Sequence, residues 1–478
     1  MRRLVRFAAL LAAIAATSAH AFDPLGSQRD LAGLAPPGLL PLDAELVGGP
    51  ACPGPLPAAL PDGRISLAET IKRALCQDPR TRQAWAESQI QAARLGASRA
   101  DYLPTINATL SQAKVGQTVS QAGLSARSDS TTRLSQLNMA WNLFDFGQRE
   151  ANVESARQTL LAAVASQNLG VQTVFVDAAN AYFALLSAQG ELAVAREVER
   201  INLQSFMAAE AKHAAGIGDL TSKLQTQTAF AQAILARVRA EGTLANAQGR
   251  LAVAIGESPQ RRLAVDADDA RLPDTDFVRN VGEMLETAQQ VHPELGAARA
   301  RLAAARARIG AAERANLPSI SLAASRGHTG RDFNSDQPDI AQRDRSVALQ
   351  LNVPVFDGFS RLYQTRAARA EFELAEADLK SVEQKVALEV WQAWQSLQTE
   401  TQALDSTEKL LAYATKSLEV AQGRFKAGVG STLELLEAQR AMADAAQQRI
   451  NALANWRATR LRLAASLGRI GFWSVRGQ

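Results

Sequence analysis

The stretch VWQAWQSLQTETQALDSTEKLLAYATKSLEVAQGRFKAGVG, residues 390–430, decides how the rest of the chain is read. From Val390 every seventh residue is apolar: Leu397, Leu404, Leu411, Leu418 and Phe425 follow. A repeat of seven means a helix winding against neighbours as a coiled coil. Outward from this seam, no proline interrupts Gly358 to Ala427, and Ala, Gln, Glu and Leu, all good helix formers, predominate. At ~1.5 Å per residue such a helix is roughly 100 Å long, too long for an ordinary globular domain. A twin runs from Gly147 to Ala214, with Val171, Ala178, Leu185 and Leu192 at the same spacing.

The twin belongs to a duplication of the whole plan. Asp78-Pro79 is answered by His292-Pro293 and Leu103-Pro104 by Leu317-Pro318. Phe144-Asp145 is answered by Phe356-Asp357-Gly358, and Gly216-Ile217-Gly218 by Gly428-Val429-Gly430. Gln227 matches Gln439, and Gly256 matches Gly468. A steady offset across low-complexity helices marks a tandem repeat of helix, hairpin, long helix, helix. The first repeat is expected over 65–270 and the second over 271–468, divided by an acidic, proline-containing passage from Asp266 to Asp276. In the first repeat Ser66 is a helix cap with Glu69 three residues on, and Pro79 opens a second helix reaching about Ala100.

After each Leu-Pro pair the period falls to two. Ile106, Ala108 and Leu110 alternate with Thr105, Asn107 and Thr109; Leu137, Met139, Trp141 and Leu143 alternate with Gln136, Asn138 and Asn142. In the second repeat Ile320, Leu322 and Ala324 alternate with Ser319 and Ser321, and Val347, Leu349, Leu351 and Val353 with Gln350 and Asn352. Strands are therefore expected at about 104–112, 133–143, 318–326 and 346–354, joined by polar loops over 116–132 and 327–345. Roughly ten residues with one apolar and one polar face suit a strand crossing the outer membrane. Four such strands cannot close a barrel, and open edges are excluded from lipid because each bare backbone group costs several kcal/mol. Closure must come from association. Two chains would supply eight strands and three would supply twelve, enough for a lumen lined by Thr, Asn, Ser and Gln. A soluble sheet packed on its own helices is the competing reading.

Residues 1–21 read as a signal peptide, with Arg2, Arg3 and Arg6 before the apolar run Phe7–Ala16 and small residues at Ala19 and Ala21. No segment reads as long and apolar enough for a transmembrane helix. Residues 22–64 form a proline-rich arm, and 469–478 a tail. The two cysteines, Cys52 and Cys76, could pair in an oxidising compartment and tie the arm to the first helix. Basic and acidic residues nearly cancel (52 against 48), and no basic cluster follows the N-terminus, which argues against nucleic-acid binding. His20, His213, His292 and His328 have no ligand spacing. Neither a nucleophile motif nor a phosphate-cradling glycine loop is visible, so no catalysis, cofactor or metal is expected and energy must come from another protein.

With these motifs in place, residues 65–468 resemble the TolC family of outer-membrane export channels. The Leu-Pro pairs, the entry Phe356 to Gly358 and the run from Gly430 to Gln439 carry the likeness. The resemblance implies a homotrimer with a 12-stranded β-barrel continued by a 12-helix α-barrel, spanning outer membrane and periplasm. It implies as partners a periplasmic adaptor (a membrane fusion protein) and an inner-membrane ABC transporter or proton-driven pump. The chain also resembles the member serving a haemolysin-type toxin secretion system, which would make the cargo an unfolded protein. A drug or metal efflux duct of the same family, and a soluble periplasmic coiled-coil scaffold, are the alternatives.

Paired glycines allow the tight reversals at Gly216, Gly218, Gly428 and Gly430. The tips, including Asp219, Leu220, Thr221, Thr432 and Leu433, are the expected adaptor-docking surface, with Asp219 and Ser431 also able to cap helices. Glu434 and Glu437 lie three apart on one helix face, where the first repeat has neutral Ser222 and Gln225. The resemblance places this acidic pair at the periplasmic entrance, six carboxylates in a trimer; an ordinary solvated face is the other reading. Some members carry a latching arginine between the glycine and the acids. Here Ser431 and Thr432 fill that interval, leaving Arg424 or Lys426 for the task.

Overall fold

The computed structural model describes residues 64–121, 124–265, 281–333 and 338–468. The signal peptide, nearly all of the proline-rich arm, the Asp266–Asp276 passage and the 469–478 tail lie outside the described residues. In chain order the elements are β1 (Arg64–Ile65), α1 (Leu67–Gln77), α2 (Pro79–Ala100), β2 (Thr105–Gln121), β3 (Leu124–Phe144), α3 (Gln148–Ala214) and α4 (Leu220–Ala254). There follow β4 (Ala264–Val265), α5 (Val281–Val291), α6 (Pro293–Arg314), β5 (Ser319–Phe333), β6 (Ile340–Asn352), α7 (Ser360–Lys426) and α8 (Thr432–Ser466). The chain divides into two compact units.

The first unit comprises, among the described residues, 88–163 and 298–379. Its centre is an antiparallel sheet of order β2-β3-β5-β6, so the repeats join where β3 pairs with β5. One row across it reads Ile106, Met139, Ala324, Val347; the next on the opposite face reads Asn107, Asn138, Ser325, Ser346. Residues directly opposite share a face, so the alternation in sequence becomes one apolar and one polar surface. Ile106, Leu110, Val347, Leu349 and Leu351 stand more than half exposed, uncovered by the chain's own helices.

The strands run well past their expected ends. The ladder continues through Lys114↔Thr131, Val115↔Ser130 and Gly116↔Asp129, and through Arg331↔Ile340, in stretches expected to be loops. Backbone pairing does not need an apolar face, and once both faces are polar the period-two signal vanishes while the hydrogen bonds go on.

Where β3 meets α3 the backbone turns through two left-handed residues, Phe146 and Gly147. Asp145, buried, accepts from the Gly147 and Arg149 amides (3.2 Å each) and from Arg149 Nε (2.7 Å). The Arg149 guanidinium also donates to the Asp101, Asn142 and Leu143 carbonyls and lies 4.6 Å over the Tyr102 ring. In the second repeat Gly358 and Phe359 are the left-handed pair, and Arg361 Nε lies 3.4 Å from the exposed Asp357. Around this helix-joined end Tyr102, Trp141, Phe144, Phe146, Phe356 and Phe359 are exposed as a collar.

The second unit comprises, among the described residues, 64–87, 164–297 and 380–468. Its core gathers Ile65, Leu67, Ile71, Phe175, Tyr182, Leu185, Leu251, Ile255, Leu263 and Leu461 around the short parallel pair β1–β4. Both heptad seams face inward: Val171, Ala178, Leu185 and Leu192, and Val390, Leu397, Leu418 and Phe425, are buried, with Leu404 and Leu411 half-buried. Each fully buried Leu, Val or Phe contributes on the order of 1.5–3 kcal/mol. One 18-residue window of α3 has a mean hydropathy of 1.3, apolar enough to cross a membrane, contrary to the sequence expectation. Half of that window is buried, and α3 supplies Val171, Phe175, Tyr182 and Leu185 to the core, so part of its apolarity is spent on packing.

Candidate functional site: the helix-hairpin tips

Each hairpin reverses through the same short device. At the end of α3 the Ile217 amide donates to the Lys212 carbonyl (3.0 Å) and the Gly216 amide to that of His213 (3.0 Å). At the end of α7 Val429 donates to Arg424 (3.1 Å) and Gly428 to Phe425 (3.2 Å). Both are Schellman closures, which need a left-handed residue; Gly216 (φ 74°) and Gly428 (φ 79°) provide it. The second glycine of each pair serves a different purpose. A Cβ on Gly218 would sit 2.9 Å from the His213 amide nitrogen, and one on Gly430 3.0 Å from that of Phe425.

The next helices start on side-chain caps. The Ser222 amide donates to Asp219 Oδ1 (2.9 Å) and the Glu434 amide to Ser431 Oγ (3.0 Å). The Ser222 hydrogen bonds hold the Asp219 carboxyl below the usual carboxylate range. Leu220, Thr221 and Leu433 are exposed, and so are the apical Ile217 (79%) and Val429 (70%), which the sequence reading did not single out. Thr432 is not on that surface: it is buried, and its hydroxyl donates to Ser222 Oγ (2.9 Å), tying the second tip to the first.

Other ties bind the hairpins together below the tips. Lys212 Nζ donates to the Phe425 carbonyl (3.0 Å) and lies 4.2 Å above its ring. Gln439, 3% exposed, donates to Ser205 Oγ (2.7 Å), whereas its repeat partner Gln227 is exposed. Their match in sequence thus conceals a division of labour. Arg424 Nε lies 3.1 Å from Glu434 Oε1, so the arginine offered as an alternative latch engages the acidic pair. Glu437 is exposed. Cys76 is disulfide-bonded, and Cys52 lies outside the described residues. No cluster of metal-ligating side chains occurs among the described residues.

A sheet apolar on one face and polar on the other suits a wall with lipid on one side and water on the other. The outer membrane efflux protein profile matches residues 70–257 and 284–469. The chain is 31% identical to Protein CyaE of Bordetella pertussis over 97% of its own length and 96% of that protein. It is 25% identical to the alkaline protease secretion protein AprF of Pseudomonas aeruginosa, covering 79% of each. The Campylobacter jejuni CmeC outer membrane channel superposes with a TM-score of 0.75 at 16% identity, over 84% of this chain and 85% of that one. The chain belongs to the outer membrane efflux protein family, the TolC-type family its motifs resemble, and is an outer-membrane export duct.

Proposed function

We propose that three copies of this chain close a twelve-stranded wall in the outer membrane and act as the passive exit of a tripartite export system. The observation that carries the proposal is the four-stranded sheet with its uncovered apolar face. The outer edges of β2 and β6 pair with no other strand among the described residues, and in lipid such edges must be paired. Copies joined edge to edge satisfy them. Ile217, Leu220, Val429 and Leu433 form the apolar points on which a periplasmic adaptor docks. An inner-membrane ABC transporter supplies the energy and a polypeptide is the cargo, in keeping with the similarity to a protease secretion protein. The family's description as efflux proteins keeps small-molecule export with a proton-driven pump as the second reading. Glu434 and Glu437, repeated three times, line the entrance.

Detergent-extracted protein run with and without heating tests the assembly, alongside conductance in planar bilayers. A heat-labile trimer that forms cation-selective pores is expected. A water-soluble monomer without conductance overturns the reading.

A further inference from the structure

Beyond its apolar band, the same face of the sheet turns basic. Arg326 of β5 lies directly opposite Arg345 of β6, and in the next row of that face His328 lies opposite Arg343. Leu137 of β3, itself exposed, neighbours Arg326 in the first row. Parity therefore puts these side chains on the apolar face rather than the polar one. All four are exposed. Like charges directly opposite one another destabilise a sheet, yet among the described residues no carboxylate makes an ion pair with Arg326, Arg343 or Arg345. The acids of this face stand farther along and are engaged. Asp332 pairs with Arg133 (2.7 Å), and Asp339 accepts from the Phe333 amide (3.3 Å). Asp344 alternates onto the polar face, where Gln342 donates to it (2.9 Å).

The depth of the cluster identifies what it meets. From Arg345 to the end of β6 at Asn352 the strand rises roughly 23 Å at ~3.3 Å per residue, about 18 Å across the membrane at a tilt of ~40°, and the four residues on to Phe356 in the aromatic collar add up to roughly 9 Å. The total is close to the ~25 Å height of the apolar band in outer-membrane barrels. The collar lies at the helix-joined, periplasmic end, so the arginines stand at the headgroups of the outer leaflet.

We propose that Arg326, Arg343 and Arg345 bind the phosphate groups of a phosphorylated glycolipid in the outer leaflet. The inference rests on the apolar face lying in lipid. A planar guanidinium matches phosphate with two parallel hydrogen bonds. Cations directly opposite and diagonal, about 5 and 7 Å apart, can share one multiply phosphorylated headgroup. Binding relieves a repulsion that the sheet itself leaves uncompensated.

The test uses the full chain purified as its oligomer, with fluorescent diphosphorylated lipid A as probe. The triple variant Arg326→Gln, Arg343→Gln, Arg345→Gln should bind at least about tenfold more weakly, each cation near an anionic surface being worth on the order of fivefold. The corresponding triple Lys variant should recover part of the loss. Arg331→Gln, on the polar face, should bind like the wild type. Equal binding by the triple Gln variant overturns the proposal, as does an equal loss in Arg331→Gln. Equal binding of a dephosphorylated probe overturns it too, and so does displacement by an equal concentration of inorganic phosphate, which indicates a free-anion site. Partition of the wild type into the detergent phase reports separately whether the apolar face is membrane-embedded.

Discussion

Arg424 Nε lies 3.1 Å from Glu434 Oε1, joining the last turn of α7 to the first turn of α8. Both side chains are about half exposed, so the pair contributes ~0–1 kcal/mol, at most about a fivefold bias on the tip. Its larger effect is on charge, because it neutralises one of the two acids proposed to line the entrance. Arg424→Gln should therefore strengthen block of single-channel current by divalent and trivalent cations, while Glu434→Gln with Glu437→Gln should weaken it. Block in planar bilayers that is indifferent to all three substitutions removes these residues from the entrance.

The two strand-to-helix junctions should respond unequally to the same substitution. Asp145 is buried and its partner Arg149 nearly so, whereas Asp357 and Arg361 are each about 30% exposed. Removing one partner of a buried ion pair costs about 3–5 kcal/mol, against ~1 kcal/mol or less for an exposed pair. Asp145→Ala should abolish the oligomer or sharply lower the temperature at which it dissociates, and Asp357→Ala should leave that temperature nearly unchanged. Equal loss of oligomer in the two variants on heated gels defeats this account.

The heptads from Val390 to Phe425 and the repeat offset were enough to read the long helices, since period and proline-free length are carried by the chain itself. The sheet was legible only where one face is apolar, from Ile106 to Leu110 or from Val347 to Val353. Past those points the backbone pairing of Thr, Ser, Gln and Arg goes on, and no residue pattern marks the end of the ladder. At the tips the glycines declared the turn, because few other residues accept φ near 75°. The Thr432–Ser222 and Gln439–Ser205 bonds link residues more than 200 positions apart. Polar side chains carry no signal of their distant partners. The Arg326–Arg345 juxtaposition depends on register, which a polar hairpin leaves unspecified.

Cys76, near the end of α1, is disulfide-bonded, and the sequence holds one other cysteine, Cys52. A non-reducing digest should yield a single cross-linked peptide joining the two. Cys52→Ala should lower stability by about 3.5 kcal/mol, the chain-entropy value for a loop of this length. Recovery of Cys76 as a free thiol from oxidised, folded protein sinks the assignment.

His292 should make the second unit acid-sensitive. It is 5% exposed, its Nδ1 has no protein partner, and a Cβ on Gly468 would lie 3.0 Å from its Cα, so the site is tightly packed. Burial lowers its pKa below the ordinary 6.5; Glu294 opposes this, while Lys385, itself paired with Glu294 at 2.8 Å, adds to it. Glu389, Asp177 and Arg462 line the same groove. With the folded pKa depressed, the unfolded chain binds the extra proton. His292 therefore leaves stability unchanged above about pH 6.5 and erodes it as pH falls toward the folded value, by at most ~1.4 kcal/mol per pH unit. Glu389 works in the opposite sense, because burial raises its pKa and the folded state then holds its proton more tightly as pH falls. The informative quantity is the difference between wild type and His292→Gln. That difference in unfolding midpoint should shift between pH 7.5 and 5.5 in favour of the variant, and a constant difference across this range shows that the imidazole is not titrating within the fold.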